Sequence, residues 1–99
     1  MHIISRKTLR SFYDNPDHGD AKGPLESWFH EVCREDWRTP SDVKAKYGSA
    51  SFLKDNRIVF NIGGNKYRLV VKVNYSNKIV FIRFVGTHEE YDRIDAEAI

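Results

Sequence analysis

The chain has 99 residues, 40% of them hydrophobic and 30% charged, and a formal net charge of +2. That composition suits one small folded domain spanning 1–99, gives no sign of disorder, and leaves no apolar run near the roughly 18–20 residues of a membrane helix. Met1-His2-Ile3-Ile4-Ser5-Arg6 is too short in apolar residues for a signal peptide. The single cysteine, Cys33, has no partner for an internal disulfide or a Cys-based zinc site. A reducing cytoplasm is the expected setting.

His2–Ser5 reads as a brief strand, with Ser5 placed to cap the helix after it. Over residues 6–14, Leu9, Phe12 and Tyr13 fall at i, i+3, i+4, one apolar stripe on a short helix. Asn15-Pro16-Asp17-His18-Gly19-Asp20 breaks it. A second helix opens at Gly23-Pro24, with proline expected at its first position. Leu25, Trp28, Phe29, Val32 and Cys33 form its apolar face, so Cys33 is expected to be a small buried hydrophobe. Thr39-Pro40-Ser41-Asp42 starts a short third helix through Lys46.

From residue 52 the period changes from helical to alternating. Arg57–Ile62, Lys66–Tyr75 and Lys78–Val85 read as three strands joined by turns at Gly63-Gly64-Asn65 and Ser76-Asn77, an antiparallel meander. On the middle strand Tyr67, Leu69, Val71 and Val73 share one face; Arg68, Val70, Lys72 and Asn74 share the other. Thr87 and Glu90 have capping-box spacing, which makes Thr87 the N-cap of a closing helix and His88 its first residue. His88 and Tyr91, at i, i+3, are expected to project together. The fold class is therefore α+β: an N-terminal strand and two to three helices packed on a three-stranded meander, with a short C-terminal helix.

Charge is distributed unevenly. Residues 1–49 balance eight Lys/Arg against eight Asp/Glu, whereas 50–87 carry seven basic residues (Lys54, Arg57, Lys66, Arg68, Lys72, Lys78, Arg83) and only Asp55. Residues 88–99 carry five acids and Arg93. A basic sheet attracts polyanions, RNA foremost; lysines that merely guard strand edges are the plainer alternative. The acidic tail is expected to be a solvated end, the competing idea being that it shields the basic face.

Cleaving RNA without a metal requires a proton taken from the 2′-hydroxyl, a proton given to the leaving 5′-oxygen, and neutralisation of the phosphorane's charge. Arg68 suits the phosphate. His88 is the residue whose ordinary titration range reaches neutrality. Tyr91 suits base stacking or hydrogen bonding, and Lys66 lies beside the glycine turn. Each has a structural alternative: a solvent-facing helix start, a helix-to-sheet packing ring, a strand cation paired with the tail. His2, His18 and His30 are scattered over different elements, so no metal site is expected.

The joint pattern Phe60-Asn61-Ile62-Gly63-Gly64-Asn65-x-Tyr67-Arg68-Leu69 with Gly86-Thr87-His88-x-x-Tyr91-Asp92 closely resembles HigB-type toxins of bacterial type II toxin–antitoxin systems, a branch of the RelE/ParE superfamily. The likeness is strongest over residues 52–95. It implies a RelE-like fold and a ribosome-dependent, metal-independent mRNA endonuclease that needs no cofactor. It also implies a HigA-like helix-turn-helix antitoxin as partner, with operator DNA reached only through that antitoxin, and no membrane association. By position, Arg68, His88 and Tyr91 become the catalytic candidates, and Lys54, Arg57, Lys66, Lys72 and Arg83 the RNA-binding ones. ParE-branch relatives inhibit DNA gyrase and cut no RNA, so a non-catalytic toxin or an inactive RNA-binding relative stays open.

Overall fold

The computed structural model describes residues 1–99. Its strands are β1 (His2–Ile4), β2 (Ser51–Phe52), β3 (Arg57–Ile62), β4 (Tyr67–Asn74) and β5 (Ile79–Thr87); its helices are α1 (Arg6–Tyr13), α2 (Lys22–Cys33), α3 (Pro40–Lys46) and α4 (His88–Asp92). The strands form one sheet in the order β1-β5-β4-β3-β2. The expected meander, β3-β4-β5, is its antiparallel centre. The sheet is larger than three strands because both edges are extended. β1 joins β5 in parallel, pairing Ile3 with Val80, and the two-residue β2 pairs Phe52 with Ile58 of β3. A two-residue strand is too short to show any period, so the sequence does not announce it.

Alternation along β3 and β4 decides which face carries the helices. Ile58, Phe60, Ile62, Tyr67, Leu69, Val71 and Val73 point to one side and join Leu9, Leu25, Trp28, Val32, Trp37 and Val43 in a continuous apolar core. Each such fully buried aliphatic side chain contributes roughly 1.5–3 kcal/mol. The outer face carries a smaller cluster of Val59, Val70 and Ala96, with Leu53, Phe84, Tyr91, Ile94 and Ile99 packed against it. The turns that hold the strands in register use left-handed backbone: Gly63 (φ +62°) and Gly64 (φ +72°) join β3 to β4, conformations only glycine adopts freely.

Four local expectations are corrected. Asn15–Asp20 does end α1, but Pro16–Ala21 is a 3-10 turn segment, capped by the Asn15 side chain accepting from the Asp17 N–H. α2 begins at Lys22, so Pro24 is its third residue, still within the first turn, where its missing N–H costs nothing. Cys33 is exposed: it is the last residue of α2 and sits at the edge of the apolar stripe, a quarter-turn or more round the helix from Val32, and Leu25, Trp28 and Val32 alone make the buried part. The tail is a solvated end only in part: Asp92, Asp95 and Glu97 are exposed as expected, but the segment between them is not free. Ala96 is buried at 7% exposure against Val59 and Val70, because the outer face presents those two valines and the tail supplies the apolar residues that cover them.

Candidate functional site

The β4–β5 ladder sets the geometry of the corner where the sequence motifs meet. Tyr67 stands opposite Thr87 and Arg68 opposite Gly86. Strand pairing is carried past Thr87 by one more bond, the His88 N–H donating to the Lys66 carbonyl at 3.1 Å. Thr87 then turns the chain into α4 through the capping box foreseen in the sequence. Its hydroxyl accepts from the Glu90 N–H at 3.1 Å, and Glu90 Oε1 accepts from the Thr87 N–H at 2.8 Å. That backbone bond holds the Glu90 carboxyl below its ordinary value.

Lys66, Thr87, His88 and Glu89 line an open hollow of about 390 Å³ at this corner. The His88 side chain is 55% exposed, with Nε2 3.7 Å from the Asp92 carboxylate. Arg68 lies beside this hollow rather than in its lining. Its Nη1 donates back to the carbonyls of Asn65 (2.9 Å) and Tyr67 (3.2 Å), so the guanidinium folds over the glycine turn, half-buried. Tyr91 goes elsewhere: its ring packs on the outer-face cluster of Val59, Val70 and Ala96, while His88 faces the hollow. α4 thus sends its i and i+3 side chains to different surroundings.

The cations expected to hold RNA fall into two groups. Three are engaged internally. Lys66 pairs with Asp20; Lys54 lies 3.7 Å from Glu97; Arg57 donates through Nε to the Ile99 carbonyl at 2.7 Å and lies 3.7 Å from Asp55. The other two, Lys72 and Arg83, make no ion pair and line the same groove, about 450 Å³, together with Asn56, Asn74, Tyr75 and Phe81. Arg83 reaches this groove by plain alternation, two residues after Phe81 in β5, and a register shift follows it. Val70 pairs with Phe84 but Val71 with Ile82, leaving Arg83 as the extra residue of a bulge, which turns Phe84 onto the outer face, where alternation from Phe81 would not have placed it.

Two residues at the corner carry no sequence signal. Asp20 receives the Lys66 ammonium on one carboxylate oxygen and the Tyr67 hydroxyl on the other. The Lys66 hydrogen bond, then that of Tyr67, pulls the Asp20 carboxyl below its ordinary value. Asp20 in turn raises the Lys66 ammonium above its own, and burial, then Asp20, pushes the Tyr67 phenol up. His18 stacks on Phe12 with ring centroids 4.2 Å apart and meets Tyr67 edge-on at 5.9 Å. Lys66 and Asp20 are 46 positions apart, so no local spacing reveals their pairing. Nowhere do three His, Cys, Asp or Glu side chains gather in a way that suits a metal ion.

A RelE-like sheet with a histidine-bearing turn at its end defines a class, and sequence comparison agrees with it. Residues 21–94 match the HigB toxin family, described as the RelE-like toxic component of a toxin-antitoxin system. The chain is 34% identical over 95 residues to the mRNA interferase toxin HigB of Escherichia coli (strain K12), covering 93% of this chain and 88% of that protein. It is 28% identical over 99 residues to the mRNA interferase HigB of Escherichia coli O6:H1 (strain CFT073), covering 95% and 91%. The chain belongs to the HigB toxin family, and as the toxic component of such a system it has an antitoxin as partner. No helix is long and apolar enough to cross a membrane.

Proposed function

We propose that this toxin is an mRNA interferase, an endoribonuclease that halts translation by cutting message on the ribosome in the cytoplasm. The observation that carries this reading is the Lys66–His88 backbone bond. It puts an imidazole and an ammonium in one open hollow, with the Arg68 guanidinium on the strand beside it. The relatives named as mRNA interferases point to the same substrate.

In the proposed reaction the ribose 2′-oxygen attacks the adjacent phosphorus as its proton passes to a base. The P–O5′ bond breaks and the 5′-oxygen takes up a proton, leaving a 2′,3′-cyclic phosphate and a 5′-hydroxyl. His88 serves one of the two proton transfers, since imidazole exchanges protons near neutrality without large cost. Arg68 neutralises the non-bridging phosphate oxygens, whose charge grows in the phosphorane. Neither step calls for a metal. Tyr91, packed against Val70, braces α4 and hence His88. Lys72 and Arg83, free of internal ion pairs, hold the flanking message along the outer face. The antitoxin is proposed to be a HigA-like helix-turn-helix protein through which the toxin reaches operator DNA.

Primer extension on a defined message with purified ribosomes tests the reading. Discrete cuts phased with the decoding site are expected for the unsubstituted protein. They should disappear with Arg68→Ala or His88→Ala while antitoxin binding persists. Intact message together with blocked gyrase supercoiling would replace the nuclease by a gyrase inhibitor.

A further inference from the structure

Lysine at a turn is ordinarily a mobile side chain that sweeps many rotamers and loses that freedom when fixed. Lys66 follows such a turn, yet its ammonium is held. The holder is a carboxylate that is itself held twice. Tyr67, 1% exposed in the core, donates its hydroxyl to the Asp20 oxygen that Lys66 leaves free. The segment carrying Asp20 is anchored two residues earlier by His18, stacked on Phe12 and set edge-on against the same Tyr67. A buried tyrosine and a stacked histidine thus fix the carboxylate, and the carboxylate fixes the lysine.

We infer that Asp20 is a positioning residue for the cleavage reaction, its carboxylate clamping the Lys66 ammonium at the mouth of the hollow that His88 lines. The inference rests on the nuclease reading. Asp20 lies just outside the 21–94 stretch that matches the family, and nothing in its surroundings assigns it another task. The pairing raises the Lys66 ammonium further above its ordinary range, and the lysine acts as a fixed positive charge for phosphate and does not exchange protons. A pre-placed charge stabilises a developing anion without reorganising when the reaction occurs.

The test is a double-mutant cycle in the ribosome cleavage assay, using the full chain. Asp20→Asn keeps an oxygen for the Tyr67 hydroxyl and removes the charge that holds Lys66. It should slow cleavage roughly ten- to a hundredfold, the scale on which misplacement of a site group acts, while the melting temperature stays close to the unsubstituted value because exposed ion pairs add little stability. In a Lys66→Ala background the same substitution should change nothing further. NMR titration of the Lys66 side chain, which needs no activity, should show its ammonium titrating at lower pH in Asp20→Asn. An Asp20→Asn protein that cleaves at full rate, loses as much again on top of Lys66→Ala, or leaves the Lys66 titration unmoved overturns the inference. If the unsubstituted protein cleaves nothing, the nuclease reading itself falls, and the inference with it.

Discussion

Arg68 and Gly86 stand opposite each other across the β4–β5 ladder, and the space above Gly86 is already occupied. A Cβ there would lie 2.5 Å from Phe84 Cζ and 3.2 Å from Glu90 Oε1. The missing side chain is what lets the Phe84 ring and the capping carboxylate of α4 fold over the strand next to Arg68. Gly86 is needed for close approach, not for a left-handed backbone.

Gly86→Ala therefore forces Phe84 off the Val59–Val70 cluster or pushes Glu90 from its cap. Overpacking of this kind costs about 1–3 kcal/mol, and urea unfolding should show it as a lower midpoint with unchanged slope. Cleavage should fall as well, since α4 carries His88. An alanine variant as stable as the original would mean that Phe84 swings aside without loss.

The tail separates packing from pairing. Ala96 is buried on Val59 and Val70, so Ala96→Asp places an unpaired carboxylate on an apolar surface and should destabilise by about 2–3 kcal/mol. Glu97 meets Lys54 at 3.7 Å with both side chains substantially exposed. Glu97→Ala should then change stability by less than about 0.5 kcal/mol. Thermal unfolding of the two variants side by side checks the contrast; equal losses would mean that charge, not Ala96, holds the tail.

The Asp20 clamp predicts a stability window in pH. The Asp20 carboxyl is lowered from its ordinary 3.8 in the fold, so its contribution is present above that value and disappears as pH falls through the folded one. Lys66 and Tyr67 are raised from 10.5 and 10.0, so theirs is complete below pH 10 and disappears as pH rises through the folded values. The stability difference between the unsubstituted protein and Asp20→Asn, small because the Lys66–Asp20 pair is exposed, should accordingly be flat between about pH 5 and 9 and shrink at both ends. Urea midpoints measured across that range decide it; a difference independent of pH would leave the pairing without electrostatic content.

The elements that a local pattern encodes were legible in the sequence. The meander shows in alternation from Arg57 to Val85, and the Thr87 cap in a spacing of three that the structure reproduces bond for bond. What escaped was long-range or irregular. Asp20 meets Lys66 only because α1 and the 3-10 segment bring residue 20 to the end of β4. Phe84 reaches the outer face through a bulge that no alternation announces, and Ala96 is buried only because the chain turns back over Val70. Cys33 misled because a position at the edge of a helical stripe shares the apolar face by spacing without being covered by it.

RNA affinity should be sensitive to some of the basic residues and not to others. Lys72 and Arg83 make no internal ion pair and share a groove with Phe81 and Tyr75, whereas Lys54 and Arg57 are taken up by the tail. Each phosphate contact on a single strand adds about 0.7 to the slope of log affinity against log salt. Arg83→Ala and Lys72→Ala should therefore each weaken binding and lower that slope by about 0.7, while Lys54→Ala leaves both nearly unchanged. Anisotropy titrations of a short single-stranded RNA, run on the His88→Ala background at several salt concentrations, measure the slopes without cleavage intervening. A slope that falls equally for Lys54→Ala would mean that the tail lifts off on binding and frees the cations it covers.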